Sequence, residues 1–143
     1  MAPRVSFYVV QHGDPGQRLA IVARLADKAL RQGYRIHIHA GDESQARALD
    51  ELLWTFRPAS FVPHALAGEP GDQPVAIGWQ GAPADERDLL INLQPGVPGF
   101  FHQFQRVAEV VTQDPASLEA QRAAWRFYRQ QGCELEKHDL RGV

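Results

Sequence analysis

Two apolar runs bracket an amphipathic helix near the start of the chain, and that alternation constrains the fold more than any other feature. VSFYVV (5–10) is short, apolar and rich in β-branched and aromatic residues, so it predicts a buried strand. QHGDPGQ follows as a turn. Residues 18–32 place Leu19, Val22, Ala23, Ala26, Ala29 and Leu30 on or near one helical face, with Gly33 as the stop signal. YRIHIHA then sets Tyr34, Ile36 and Ile38 against Arg35, His37 and His39 at strand period. Asp42 and Gln45 form a capping-box pattern with Asp42 as the cap. The helix they open repeats Ala46, Leu49, Leu53 and Phe56, and the prolines at 58 and 63 prevent its continuation. Strand–helix–strand–helix order predicts an α/β layered fold with a mostly parallel sheet.

Further along, VAIGW (75–79) and DLLINL (88–93) read as strands, separated by the turn-rich GAPADER. After PGVPG, residues 100–111 (FFHQFQRVAEVV) are expected to form a helix with Phe101, Phe104, Val107, Ala108 and Val111 inward. Asp114 and Pro115 open the next helix, which is expected to reach Gln131 before Gly132. CELEKHDL is read as a last short strand. No repeat, low-complexity tract or linker divides the 143 residues, so they are expected to form one α/β domain spanning 1–143.

Composition excludes several classes. The net charge of −2 argues against a polyanion binder acting through overall charge. The single cysteine, Cys133, allows neither an internal disulfide nor a cysteine-based zinc site. MAPRVSFYVV lacks the apolar stretch of a secretory leader, and no run approaches a membrane span, so a cytoplasmic location is expected. Thirteen of the fifteen basic residues are arginine, a bias that matters for function only where arginines cluster.

Catalytic and cofactor motifs are missing. QHGDPGQR offers Gly13 and Gly16 but no G-x-G-x-x-G and no P-loop, so no standard phosphate cradle and no cofactor are expected. His37 and His39 share one strand face, but no convergent cysteine or carboxylate cluster accompanies them, and they read as polar-face residues rather than metal ligands. His12 lacks the preceding arginine of a catalytic His-Gly pair. Asp85, Glu86 and Asp88 read as a solvated turn. No catalytic site and no metal site is assigned.

The last helix is more informative. With Ala120 at zero and 100° per residue, Ala120, Ala123, Ala124 and Phe127 lie within roughly 60° of one another's mean direction and form the expected core face. Trp125 falls near ~140°, Leu118 near ~160°, Arg129 near ~180°, Arg122 near ~200° and Arg126 near ~240°. Tyr128, near ~80°, is expected at the boundary. Over residues 117–131 the only acid is Glu119. A basic stripe centred on a tryptophan suits an acidic peptide with an apolar anchor, or nucleic acid. It is equally compatible with a tryptophan packed under a neighbour and ordinary solvated arginines.

At this point DESQARALDELLWTFRPASFVPHALAGE (42–69) supplies a long, specific string. Together with FYVV, PVAIGW, DLLINL and the closing Arg-x-x-Trp-Arg-x-Tyr-Arg-x-x-Gly (122–132), it resembles the chi subunit family of the bacterial DNA polymerase III holoenzyme over nearly the whole chain. The resemblance implies a three-layer Rossmann-like fold without a nucleotide site, in a non-catalytic accessory subunit of the clamp-loader complex. It implies two partners. One is the small psi subunit; the other is the acidic, aromatic-ended C-terminal tail of single-stranded DNA-binding protein, through which contact with single-stranded DNA is indirect.

The family's basic tail-binding position falls on Arg122, and neighbouring positions fall on Trp125 and Arg126, where the family commonly has Tyr and Lys. Leu118 and Arg129 complete the expected stripe. The position matching Phe61 lies at the surface that receives psi, so Trp54, Phe61, Val62 and Pro63 are the expected apolar interface. The competing reading of the whole chain is a small nucleotide-binding Rossmann-like enzyme.

Overall fold

The structure, a computed structural model, describes residues 2–10, 15–55, 63–66, 73–83 and 87–140. Seven strands are β1 (Arg4–Val10), β2 (Ile36–His39), β3 (His64–Leu66), β4 (Val75–Gly78), β5 (Leu89–Asn92), β6 (Arg106–Val111) and β7 (Glu134–Leu140). They form one sheet in the order β3-β4-β2-β5-β6-β1-β7, and every pairing is parallel. The helices are α1 (Pro15–Arg31), α2 (Glu43–Thr55) and α3 (Pro115–Gln130). α1 and α2 cover one face, where Val22, Ala26, Leu49 and Leu53 meet Ile36, Ile38 and Ile77. α3 and a 3-10 turn at Phe101–Gln103 cover the other, where Phe7, Leu90, Phe101, Phe104 and Tyr128 pack together. The chain is therefore a three-layer Rossmann-like α/β fold, as expected.

Local chemistry accounts for the element ends. Gln45 N–H donates to Asp42 Oδ1 (2.8 Å), while the Gln45 side-chain oxygen reaches back to the Gly41 N–H (2.7 Å) rather than to that of Asp42. Gly33 and Gly132 follow α1 and α3 with φ of +86° and +83°, the left-handed geometry of a helix stop.

The sequence expectations need four corrections. Residues 100–111 are not a helix: Phe101–Gln103 make one 3-10 turn and Arg106–Val111 are a strand. Between β5 and β1, this strand is buried on both faces, so its apolar residues need no strand alternation. Val107 goes to the α3 side and Ala108 to the α1 side.

Likewise, His37 and His39 do not face solvent. Both are buried, with His39 edge-on to Phe100 at 5.1 Å and His37 alongside Phe104 at 6.2 Å. β3, three residues long, was not expected. Finally, the core face of α3 is Gln121, Ala124 and Tyr128, turned by roughly 70° from the expected alanine-centred face. Phe127 is 39% exposed, and Tyr128 is fully buried rather than at the boundary.

Candidate functional site

α3 carries the first candidate surface, and its mounting is specific. Asp114 caps the helix: its Oδ2 accepts from the Ser117 N–H at 3.1 Å, and Thr112 Oγ1 donates to Oδ1. The Thr112 and Ser117 hydrogen bonds hold the Asp114 carboxyl down at about 2. Further along the helix, the Tyr128 hydroxyl donates to Glu109 Oε2 at 2.6 Å, in the floor of the sheet. Asn92 Nδ2 donates to both carboxylate oxygens of Glu109 at 3.0 and 3.1 Å.

Glu109 is wholly buried. Burial pushes its carboxyl up to about 7, against the pull of the Tyr128 and Asn92 hydrogen bonds and of Arg18. Burial, the Glu109 charge and their hydrogen bond push the Tyr128 hydroxyl up, which keeps it a donor. Arg18 reaches in from α1 to the carbonyls of Leu93 (2.7 Å) and Val110 (2.9 Å). Burial lowers its pKa.

This anchoring explains the rotation of α3. Tyr128 must point at Glu109, and it packs edge-on to Phe101 at 5.4 Å and to Phe7 at 6.1 Å. Trp125, on the flank of that buried face, rests on Phe7 at 5.3 Å and is half-buried. Leu118 is half-buried beside it on the helix, while Arg122, Arg126 and Arg129 are exposed. Spacings of three, four and seven residues make these five side chains one continuous strip. Among the described residues, no carboxylate forms an ion pair with the three arginines. The strip combines a rigidly backed aromatic edge with three guanidinium groups, a chemistry suited to carboxylates flanking an apolar side chain.

A second surface lies at the end of α2. Trp54 is 58% exposed, so it is not core, and its ring meets the buried His64 ring edge-on at 5.1 Å. His64 Nε2 lies 3.0 Å from the Asp50 carbonyl and 3.1 Å from Asp50 Oδ1, fixing the start of β3 against α2. Pro63 is half-buried. Phe61 and Val62 lie outside the described residues, as do Phe56, Asp85 and Glu86. Asp88 does not lie free in a turn: its Oδ2 accepts from the Arg35 N–H at 2.8 Å. α2 and α3 sit on opposite faces of the sheet and over opposite ends of it, the first against β3 and β4, the second against β6 and β7.

Among the described residues, no three His, Cys, Asp or Glu side chains gather in metal-binding geometry. None of the described helices is long and apolar enough to cross a membrane. The β1–α1 turn, where related folds hold phosphates, falls on residues outside the described set. The Glu109–Tyr128–Asn92 cluster and Arg18 were not anticipated. Their signal was a lone acid inside the apolar run VAEVV, which strand burial on both faces makes conspicuous.

A seven-stranded parallel α/β fold with three exposed arginines along one buttressed helix thus defines the class. The family described as "DNA polymerase III chi subunit, HolC" matches residues 2–136. A relative named DNA polymerase III subunit chi from Pseudomonas aeruginosa is 49% identical over 137 residues, covering 96% of each chain. Relatives of the same name from Haemophilus influenzae and Escherichia coli are 34% and 37% identical. The first covers 98% of this chain and 99% of the relative; the second covers 80% of each. The chain belongs to the DNA polymerase III chi subunit family.

Proposed function

We propose that this chi-family chain is a non-catalytic two-sided tether. The strip of Leu118, Arg122, Trp125, Arg126 and Arg129 holds the acidic C-terminal tail of single-stranded DNA-binding protein. The surface built from Trp54, Phe61, Val62 and Pro63 holds the psi subunit and, through it, the clamp loader. Linking two moderate contacts raises the local concentration of the replicase at coated DNA without any chemistry in the subunit.

The observation that supports the reading is the α3 strip. Three exposed arginines, which pair with no carboxylate among the described residues, flank a tryptophan held in place by Phe7. The placement of Trp54 on the opposite face also favours simultaneous engagement.

The test uses immobilised single-stranded DNA coated either with intact single-stranded DNA-binding protein or with a version lacking its tail. The wild-type chain should be retained on the intact coat alone, and Arg122→Ala/Arg126→Ala should abolish retention. Equal retention on the tail-less coat would refute the tail contact.

A further inference from the structure

A third surface lies away from both proposed contacts. In the sheet order, β1 and β7 lie beyond β6 at one end, and α1 packs over β6 and β2. Arg4, Ser6 and Tyr8 of β1 stay in register with Arg106, Ala108 and Val110 of β6 and with Glu134, Glu136 and His138 of β7. The face they share with α1 is therefore bounded by that helix on one side and by the β7 edge on the other. A groove of about 190 Å³ runs there, with Arg4, Ser6, Tyr8 and Arg106 on its floor and Lys28 and Tyr34 on its wall.

Its charge and aromatic content point one way. Among the described residues, no acidic side chain lines it. Arg106 lies over the Tyr34 ring at 5.7 Å, and among the described residues neither Arg106 nor Lys28 pairs with a carboxylate. The nearby acids are engaged: Glu136 by Arg4 and His138, Glu134 by Arg4, and Asp27 by Arg31. Tyr8 stacks on His138 at 4.9 Å with the rings 13° apart, and it lines the same groove as Arg106 and Lys28. The volume is below the ~300 Å³ at which drug-sized and cofactor pockets begin. The groove suits one base with its two flanking phosphates, not a whole dinucleotide or a duplex.

We propose that this groove takes a short stretch of single-stranded nucleic acid directly, with phosphates on Arg106 and Lys28 and a base against Tyr8. Basic grooves floored with aromatic rings bind single strands in this way, with little sequence preference. It lies on the opposite sheet face from α3, so a strand emerging from a protein-coated region can be touched while the tail is held.

The test measures anisotropy of a labelled thymidine oligonucleotide of about twelve residues, within the range of single-strand site sizes, with the full chain and no other protein. Two contacted phosphates give a salt slope of about −1.4, so a fourfold rise in salt should weaken binding about sevenfold. Arg106→Ala/Lys28→Ala should lose that salt response and bind roughly tenfold more weakly, since both phosphate contacts are gone. Tyr8→Leu should weaken binding while keeping the slope, and Arg122→Ala/Arg126→Ala should bind as wild type.

The proposal is overturned if the folded wild type does not bind. It is also overturned if the α3 variant loses binding in place of the groove variant, or if a poly-aspartate peptide displaces the oligonucleotide at equal charge concentration. Lys28→Ala alone, on the exposed side of α1, keeps the test decisive should the double variant misfold.

Discussion

Replacing Glu109 with glutamine removes the buried carboxylate that holds α3 to the sheet through Tyr128 while keeping the side chain's shape. The folded protein holds this carboxyl at about 7, against an ordinary value of 4.5, chiefly because burial disfavours the charge. Below pH 4.5 both the folded and unfolded forms carry the proton, and the group adds no penalty. Between the two values the unfolded chain releases the proton and the folded one keeps it, so stability falls as pH rises and levels off above 7. Each pH unit in that window is worth about 1.4 kcal/mol, so the whole shift amounts to roughly 3 kcal/mol. Most of that loss falls between pH 5 and pH 8. Urea unfolding followed by tryptophan fluorescence should show the wild-type midpoint dropping by roughly 1 M over that range, beyond any change in the variant. Parallel pH profiles for the two proteins, or a wild type that gains stability relative to Glu109→Gln as pH rises, would refute the assignment of a neutral-range carboxyl to this cluster.

Three other outcomes follow from the same geometry. Tyr128→Phe removes a donor that favours the charged form of Glu109, so the pH-dependent loss of stability should extend above pH 7, as read by the same unfolding series. Trp54→Ala should change stability by less than about 1 kcal/mol, because the ring is mostly exposed, yet abolish co-purification with psi. Gly132→Ala forces a Cβ into left-handed backbone after α3 and should cost about 1 kcal/mol in thermal or urea unfolding.

The α/β class was legible because its first half obeys simple periodicity. Val22, Ala26 and Ala29 recur at helical spacing, Ile36 and Ile38 at strand spacing, and Gly33 marks the break between them. The same reasoning failed at residues 106–111. A strand buried between two neighbours and two helical layers carries no alternation, and its preceding phenylalanines mimic a helical repeat. β3 has only three residues, too few to register a period.

In α3 the arginines were legible as a stripe, because charge is visible in sequence. The direction of the core was not, because alanine spacing outweighed a buried polar contact. The Tyr128–Glu109 hydrogen bond joins residues 19 apart and turns the helix so that Gln121 goes inward and Phe127 outward. Trp125 consequently serves as a backed edge of the strip rather than a fully exposed knob.

The proposal that α3 receives an acidic tail is tested most directly by calorimetric titration of the chain with a synthetic tail peptide of single-stranded DNA-binding protein, at low and high salt, for wild type and Arg122→Ala. The account predicts binding that weakens with salt, and a roughly tenfold weaker association for the variant, the scale of one lost charged hydrogen bond. Salt-insensitive binding that Arg122→Ala leaves unchanged, or no binding by the folded wild type, would contradict it.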